Sequence, residues 1–298
     1  MAPGNDSSVT EFILLGLTQQ PELQLPLFFI FLGIYLVTVV GNIGLIILIG
    51  LNPHLHTPMY YFLFNFSFID LCYSSVITPK MLIIFKHPSL ISVAPLCFSF
   101  SFFVISECYM LTSIAYDRYV TIYTPLLHKV TMFHKVCLVL SLTAYVVGFT
   151  GASAHTGCML RLTFCNVNIN HYLCDILPLL QVSCTSTYVS EVVVLIVFLT
   201  SSSLLAFFIS NPLREDRKPS APAAPTSLLF LFFIGSAAFT YLKYSSPGSM
   251  DLTKISSVFY TNVVPMVNPL IYGLRNKDIK VTLRKSVFKN PEENHVLT

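Results

Sequence analysis

From Leu25 to Gly50 the chain runs without one Asp, Glu, Lys or Arg. About 20 apolar residues suffice to cross a bilayer as a helix, the element whose backbone groups need no water. Six further apolar runs follow: Met59–Pro79, Leu96–Ile122, Val136–Ala154, Tyr188–Ser210, Ser227–Leu242 and Ile255–Gly273. The expected fold is therefore an all-α membrane protein with seven transmembrane helices. The sixth run is the weakest, since its clean apolar part spans only Leu228 to Tyr241. Composition agrees: 54% of residues are hydrophobic and 10% charged, against about 25% charged in a soluble domain. So few charges cannot cover a water-facing surface, which sets aside a soluble all-helical protein with a large core.

Charge placement orients the spans. Of 17 Lys and Arg, six lie between Arg275 and Lys289, and the first 24 residues carry none. Under the positive-inside rule the N-terminus lies outside and the C-terminus inside, which requires an odd number of spans. Three regions result: an extracellular N-terminus, residues 1–24; a membrane domain, 25–273; and a cytoplasmic helix and tail, 274–298. Residues 1–24 lack the basic start and apolar core of a cleavable signal, so the first span is read as an uncleaved anchor. Asn5-Asp6-Ser7 forms a glycosylation sequon on the expected outer side, whereas Asn65-Phe66-Ser67 falls inside a span. Beyond Gly273, Leu274, Ile279, Val281, Leu283 and Val287 alternate with bases, the pattern of an amphipathic helix lying on membrane lipid. A net charge of +3 is weak for nucleic acid, and none is expected as a partner.

Cys97 stands at the outer start of the third span, and Cys165, Cys174 and Cys184 stand in the long outer connection after the fourth. Four cysteines on an oxidising face suggest two disulfides with three possible pairings. Cys72, Cys108, Cys137 and Cys158 fall in or near spans and read as small buried residues. Asp70 and Glu107 are carboxylates inside apolar spans, which marks them as functional candidates.

Four stretches say more: Gly41-Asn42, LHTPMYYFL (Leu55 to Leu63), SIAYDRYVTIYTPL (Ser113 to Leu126) and PMVNPLIYGLRN (Pro265 to Asn276). Their order and their places on the spans resemble the odorant receptors, a branch of the rhodopsin-like G-protein-coupled receptors. The outer stretch FCNVNINHYLCD is similar to that branch too.

The resemblance implies roles. Asp117, Arg118 and Tyr119 would couple to a G protein, with Arg118 locked to its neighbour at rest and freed on activation. Asn268, Pro269 and Tyr272 would form a switch in which Pro269 breaks the helix ladder. Asn42, Asp70, Glu107 and Asn268 would form a polar cluster holding a sodium ion or protons at Asp70 and Glu107; a plain packing network without an ion is the alternative. No other cofactor is expected. A ligand pocket would lie among Phe100, Ser101, Phe102, Val104 and Ile105 of span three, Phe233, Ile234 and Phe239 of span six, and Tyr260 of span seven. No acidic residue stands at the outer end of span three, so a small volatile apolar ligand fits better than an amine. The implied disulfides are Cys97–Cys174 and Cys165–Cys184, with Cys97–Cys184 as runner-up. The implied partner is a stimulatory olfactory G protein that raises cyclic AMP, in the plasma membrane of olfactory neuron cilia. A transporter lacks support, with no inverted repeat. So does an enzyme, with no nucleophile–base pair.

The chain also departs from that family. Cys97 and Arg118 lie about one turn closer than in the family, a loss of roughly 6 Å of helix. Span five reaches REDRK about a dozen residues early. After it the family reads close to K-A-F-S-T-C-x-S-H-L, but here Pro219, Pro222 and Pro225 fall in PSAPAAPTS. Codons for this stretch, read from one base earlier, are compatible with Ala-Phe-Ser-Thr-Cys-Ser-Ser-His-Leu. One lost base near Lys218, with the frame restored before Gly235, would produce it. The alternative reading is therefore a non-signalling product of a damaged odorant receptor gene.

Overall fold

The computed structural model describes residues 11–14, 20–86, 90–165, 168–169, 179–180, 182–215, 235 and 250–287. The expected sixth span lies outside them apart from Gly235.

Helix α1 is Pro21–Leu51, and a single 3-10 turn, Pro53–Leu55, leads from it to α2, Pro58–Lys86. Helix α3 is Val93–Tyr123, followed by the one-turn α4, His128–Thr131, and by α5, His134–Met159. Helix α6 is Tyr188–Glu215. The last span is composite: α7, Met250–Val258; a π-helical turn, Phe259–Val263; and α8, Val264–Arg275. Helix α9, Lys277–Val287, follows. Among the described residues α1, Pro58–Ile84 of α2, Ala94–Tyr123 of α3 and α5 are long and apolar enough to cross a membrane.

The packing is inverted relative to a soluble protein. Val40, Val139 and Val146 point outward at 59–70% exposure, while Thr38, Asn42, Asp70, Ser74, Glu107 and Asn268 are buried. Lipid is as apolar as valine, so outward valines cost nothing and polar side chains hold the helices together. The main core lies near the Arg118 end of the bundle, where Phe62, Phe66 and Ile69 of α2 meet Met110, Leu111 and Ile114 of α3. A second cluster, with Phe31, Tyr73, Ile77, Phe100 and Tyr260, lies toward the Cys97 end.

One expected boundary needs correction. Helix α2 does not stop at Pro79 but runs on to Lys86. A proline in a buried helix removes one ladder bond, and packed neighbours keep the rest in place. Beside the helices stands one small sheet: Glu11–Leu14 (β1) pairs antiparallel with Leu90–Ser92 (β2) and parallel with Asn168–Ile169 (β3). This small sheet sits at the Cys97 end, since β2 runs directly into α3.

The amphipathic helix forms where expected. Asn276 starts α9, its Oδ1 accepting the N–H of Asp278 at 2.9 Å. The Tyr60 hydroxyl of α2 lies 3.1 Å from both Asn276 Oδ1 and Asp278 Oδ2 and ties α9 to the bundle. Ile279 is buried, while Val281 and Leu283 are half exposed. Tyr60→Phe removes a bond worth about 1 kcal/mol, so amide exchange in α9 should quicken about fivefold with the transmembrane helices unchanged.

Candidate functional site

Asp70 of α2 and Glu107 of α3 are fully buried. Asn268 of α8 donates from Nδ2 to Asp70 Oδ2 at 2.8 Å, joining α2 to α8. Glu107 is close enough to both Asp70 and Asn268 to interact electrostatically. Among the described residues, however, neither of its oxygens has a partner in hydrogen-bonding geometry, and Asp70 Oδ1 and Asn268 Oδ1 also lack a donor. Buried oxygens without donors call for a proton, a water or a hard cation. The donor set, carboxylate and amide oxygens from three helices, fits a sodium ion.

Asn42 meets α8 about one turn before Asn268. Its Nδ2 donates to Thr38 O at 3.0 Å and to Pro265 O at 3.2 Å rather than to either carboxylate. The chemistry of proline explains this. In a regular helix the N–H of residue 269 would bond to the carbonyl of residue 265. Pro269 has no N–H, so that carbonyl is left over, and Asn42 takes it. Gly41 makes room: a Cβ there would lie 2.9 Å from Pro269 Cγ. Pro265 likewise brings no N–H to the helix ladder, and the π turn Phe259–Val263 lies just before it. Across it Thr78 of α2 donates to Asn262 Oδ1 at 3.3 Å. Pro269 thus comes with a second irregularity upstream, which the motif alone did not announce. The backbone places Tyr272 in α8.

At the end of α3 the expected pairing is replaced. Asp117 Oδ1 meets His128 Nε2 of α4 at 3.0 Å, not Arg118. Arg118 Nη2 contacts the Met59 Sδ of α2, and no carboxylate among the described residues lies within ion-pair distance of it. A thioether is a weak acceptor, so this hold on the guanidinium is slight. Tyr119 stacks on Tyr123 one turn later, ring centroids 4.5 Å apart. Beside this cluster Leu126 is 95% exposed and Leu127 also stands out. The sequence reading had Leu126 only as the end of the stretch Ser113 to Leu126 and did not single out either leucine.

The span-three pocket candidates divide between two faces. Phe100 packs with Tyr73 and Tyr260, ring centroids 6.1 and 6.3 Å away, and Val104 packs beside Val264. Phe102 turns toward Tyr145 of α5, and Ile105 lies where a Cβ on Gly151 of α5 would fall 2.7 Å from its Cδ1. Buried Ser101 lies 3.5 Å from His155 Nδ1 of α5, a histidine the sequence reading missed, whose Nε2 has no partner among the described residues. Five positions within the six residues 100–105 of α3 cannot share one lining, because each residue turns 100° from the last. Tyr260 donates to Ser257 Oγ at 3.1 Å. Phe233, Ile234 and Phe239 lie outside the described residues.

Cys165 and Cys184 are bonded, with Cα atoms 5.5 Å apart, as the preferred pairing requires. Cys97–Cys184 is thereby excluded. Cys174 and Asn5 lie outside the described residues. The Asn65 sequon is inside α2: Asn65 donates to Tyr61 O and accepts from the Tyr145 hydroxyl, and Ser67 is buried.

With this geometry in place, comparison with known proteins decides the family. Residues 41–272 match the 7 transmembrane receptor (rhodopsin family). Olfactory receptor 8B3 of Mus musculus is 65% identical over 311 aligned positions, covering 98% of each chain. The chain belongs to the olfactory branch of the rhodopsin-family receptors. Olfactory receptors 8B3 and 8B2 of Homo sapiens are each 61% identical, covering 99% of each chain. Membership makes this olfactory receptor-family chain a multi-pass membrane protein with the seven-helix fold. It places the chain among receptors for small ligands that work through G proteins, not among enzymes. The alignment to the mouse relative has 311 positions and the chain only 298 residues, so the relative carries stretches that this chain lacks.

Proposed function

We propose that this chain is an odorant receptor: it takes a small volatile ligand between the outer halves of its helices and activates a stimulatory olfactory G protein, raising cyclic AMP. Its N-terminus faces outward and its Arg118 end faces the cytoplasm, in the plasma membrane of olfactory cilia. The observation that carries this reading is the loosely held guanidinium of Arg118. Among the described residues its side-chain hydrogen-bond partner is a thioether, exposed Leu126 follows in the next connection, and a basic helix follows α8. A cation beside an apolar knob suits the C-terminal helix of a G protein. Ligand-driven repacking of the Pro269 segment against Asn42 and Asp70 would open that face. The sodium ion, or protons in its place, would occupy the Asp70–Glu107–Asn268 cluster at rest.

The test uses cells carrying the full chain with an N-terminal epitope, a stimulatory olfactory G protein and a cyclic-AMP reporter. Labelling of unpermeabilised cells and an odorant-evoked rise that Arg118→Ala abolishes without loss of surface signal are expected. Surface receptor that answers no odorant in a broad panel, even with the cassette below repaired, would sink the reading.

One observation favours a second reading. The chain lacks stretches that its relatives have, and three prolines stand at Pro219, Pro222 and Pro225 where a receptor of this family carries a helix. This product would reach the fold without signalling. Replacing residues 219–227 by Ala-Phe-Ser-Thr-Cys-Ser-Ser-His-Leu separates the two readings. A response gained only after repair favours damage, and an equal response before and after excludes it.

A further inference from the structure

A cavity of about 490 Å³ opens at the Arg118 end, far along α3 from the candidate ligand pocket. Its size lies within the range of about 300–1,000 Å³ typical of small-molecule sites. Ile49, Leu55, Met132 and Cys137 form a buried apolar wall. His56, Thr57 and His134 form an exposed polar rim, and Lys135 stands next to His134. The Tyr61 ring meets His134 edge-on at 6.0 Å. Neither segment that builds the cavity, residues 45–64 and 124–140, contains an acidic residue. The opening lies where α1 ends and where α2 and α5 begin, the level at which apolar spans meet polar connections. Leu51 and Phe133 flank it with apolar surface turned outward.

We propose that this cavity binds an anionic phospholipid of the adjoining leaflet. One acyl chain lies against Ile49, Leu55 and Met132, and the phosphate sits at His134, Lys135 and the Thr57 hydroxyl. A soluble metabolite would not need a wall turned toward lipid, and a zwitterionic lipid would gain nothing from a rim of bases without acids. The occupant would brace the first turn of α2. Pro58 of that turn lines the cavity, and the next residue, Met59, holds Arg118. The leaflet assignment rests on the orientation proposed above; the cavity and its charge do not.

The test is native mass spectrometry of the full-length receptor exchanged from dioleoylphosphatidylcholine into mixtures with dioleoylphosphatidic acid. One phosphatidic acid should stay bound, preferred about tenfold over phosphatidylcholine, as one or two basic side chains allow. Gly50→Phe should remove it: Gly50 lines the cavity and a Cβ there meets nothing within 4 Å, so the ring can fill the space. Gly44→Phe, equally roomy but outside the lining, should keep the lipid. The pair His134→Gln with Lys135→Gln should keep a lipid but lose the preference. If Gly50→Phe does not fold, Thr57→Trp at the exposed rim tests the same space. Equal retention of both lipids, or retention that survives the filling variants, overturns the proposal. Surface accessibility of an N-terminal epitope reports orientation separately, so failure of that reading is told apart from failure of this one.

Discussion

Gly148→Leu is expected to reduce the receptor at the cell surface to background. Helices α3 and α5 touch backbone to backbone at this point. An added Cβ at Gly148 would fall well inside van der Waals contact distance of Ser106 Oγ and 3.0 Å from the Phe102 carbonyl oxygen. A serine hydroxyl can rotate away, but a backbone carbonyl moves only with its helix. One turn along, a Cβ at Gly151 would crowd Ile105 Cδ1 at 2.7 Å, so the seam has no slack into which α5 could shift. Membrane helices gain no hydrophobic drive from meeting each other and rely on such close approach. Leucine at 148 would hold the pair apart and strip contacts along both. Gly44→Leu is the control: a Cβ there meets nothing within 4 Å, and surface staining should match the parent. Normal staining for Gly148→Leu would mean that α3 and α5 do not pack this closely.

The second large effect concerns the buried acids. Purified receptor should melt higher in NaCl than in KCl at equal ionic strength, and the difference should vanish in Asp70→Asn and in Glu107→Gln. A ligand at a hundredfold excess over its Kd adds about 2.7 kcal/mol to the folded state. At about 2–4 °C per kcal/mol for chains of 150–250 residues, that shift is readily measured. Both variants keep side-chain shape and remove a charge, so lost packing does not mimic the result. Identical melting in the two salts would leave the cluster as a proton-bearing or purely structural network. Asp70→Ala would then still destabilise by about 1–3 kcal/mol, since Asn268 Nδ2 loses its acceptor in a buried place.

What the sequence made legible was set by local and one-dimensional signals. Runs of apolar residues placed α1, α2, α3, α5 and α6 to within a few residues, except where Pro79 was read as a stop. The acids Asp70 and Glu107 announced themselves because a charge in hydrocarbon is costly. Contacts that depend on which turn of one helix faces which turn of another stayed hidden. Nothing local says that the amide of Asn42 serves the carbonyl orphaned by Pro269, or that Asp117 reaches past its neighbour to His128. Helical phase was legible in principle: 100° per residue already separates Phe100 and Val104 from Phe102 and Ile105. The small sheet was hidden for a different reason, since its strands are two to four residues long and carry no periodicity that a window can register.

That sheet has a consequence for biosynthesis. Strand β1 leaves the ribosome among the first residues, yet its partners are Leu90–Ser92 and, later still, Asn168–Ile169. In the orientation proposed above, β1 waits in the lumen for Leu90–Ser92 until α2 has been made, and the sheet is complete only once the connection after α5 has emerged. During that interval it is open to glycosyltransferases and chaperones. A tag fused upstream of Glu11 would ride on a segment whose pairing waits for residues made much later.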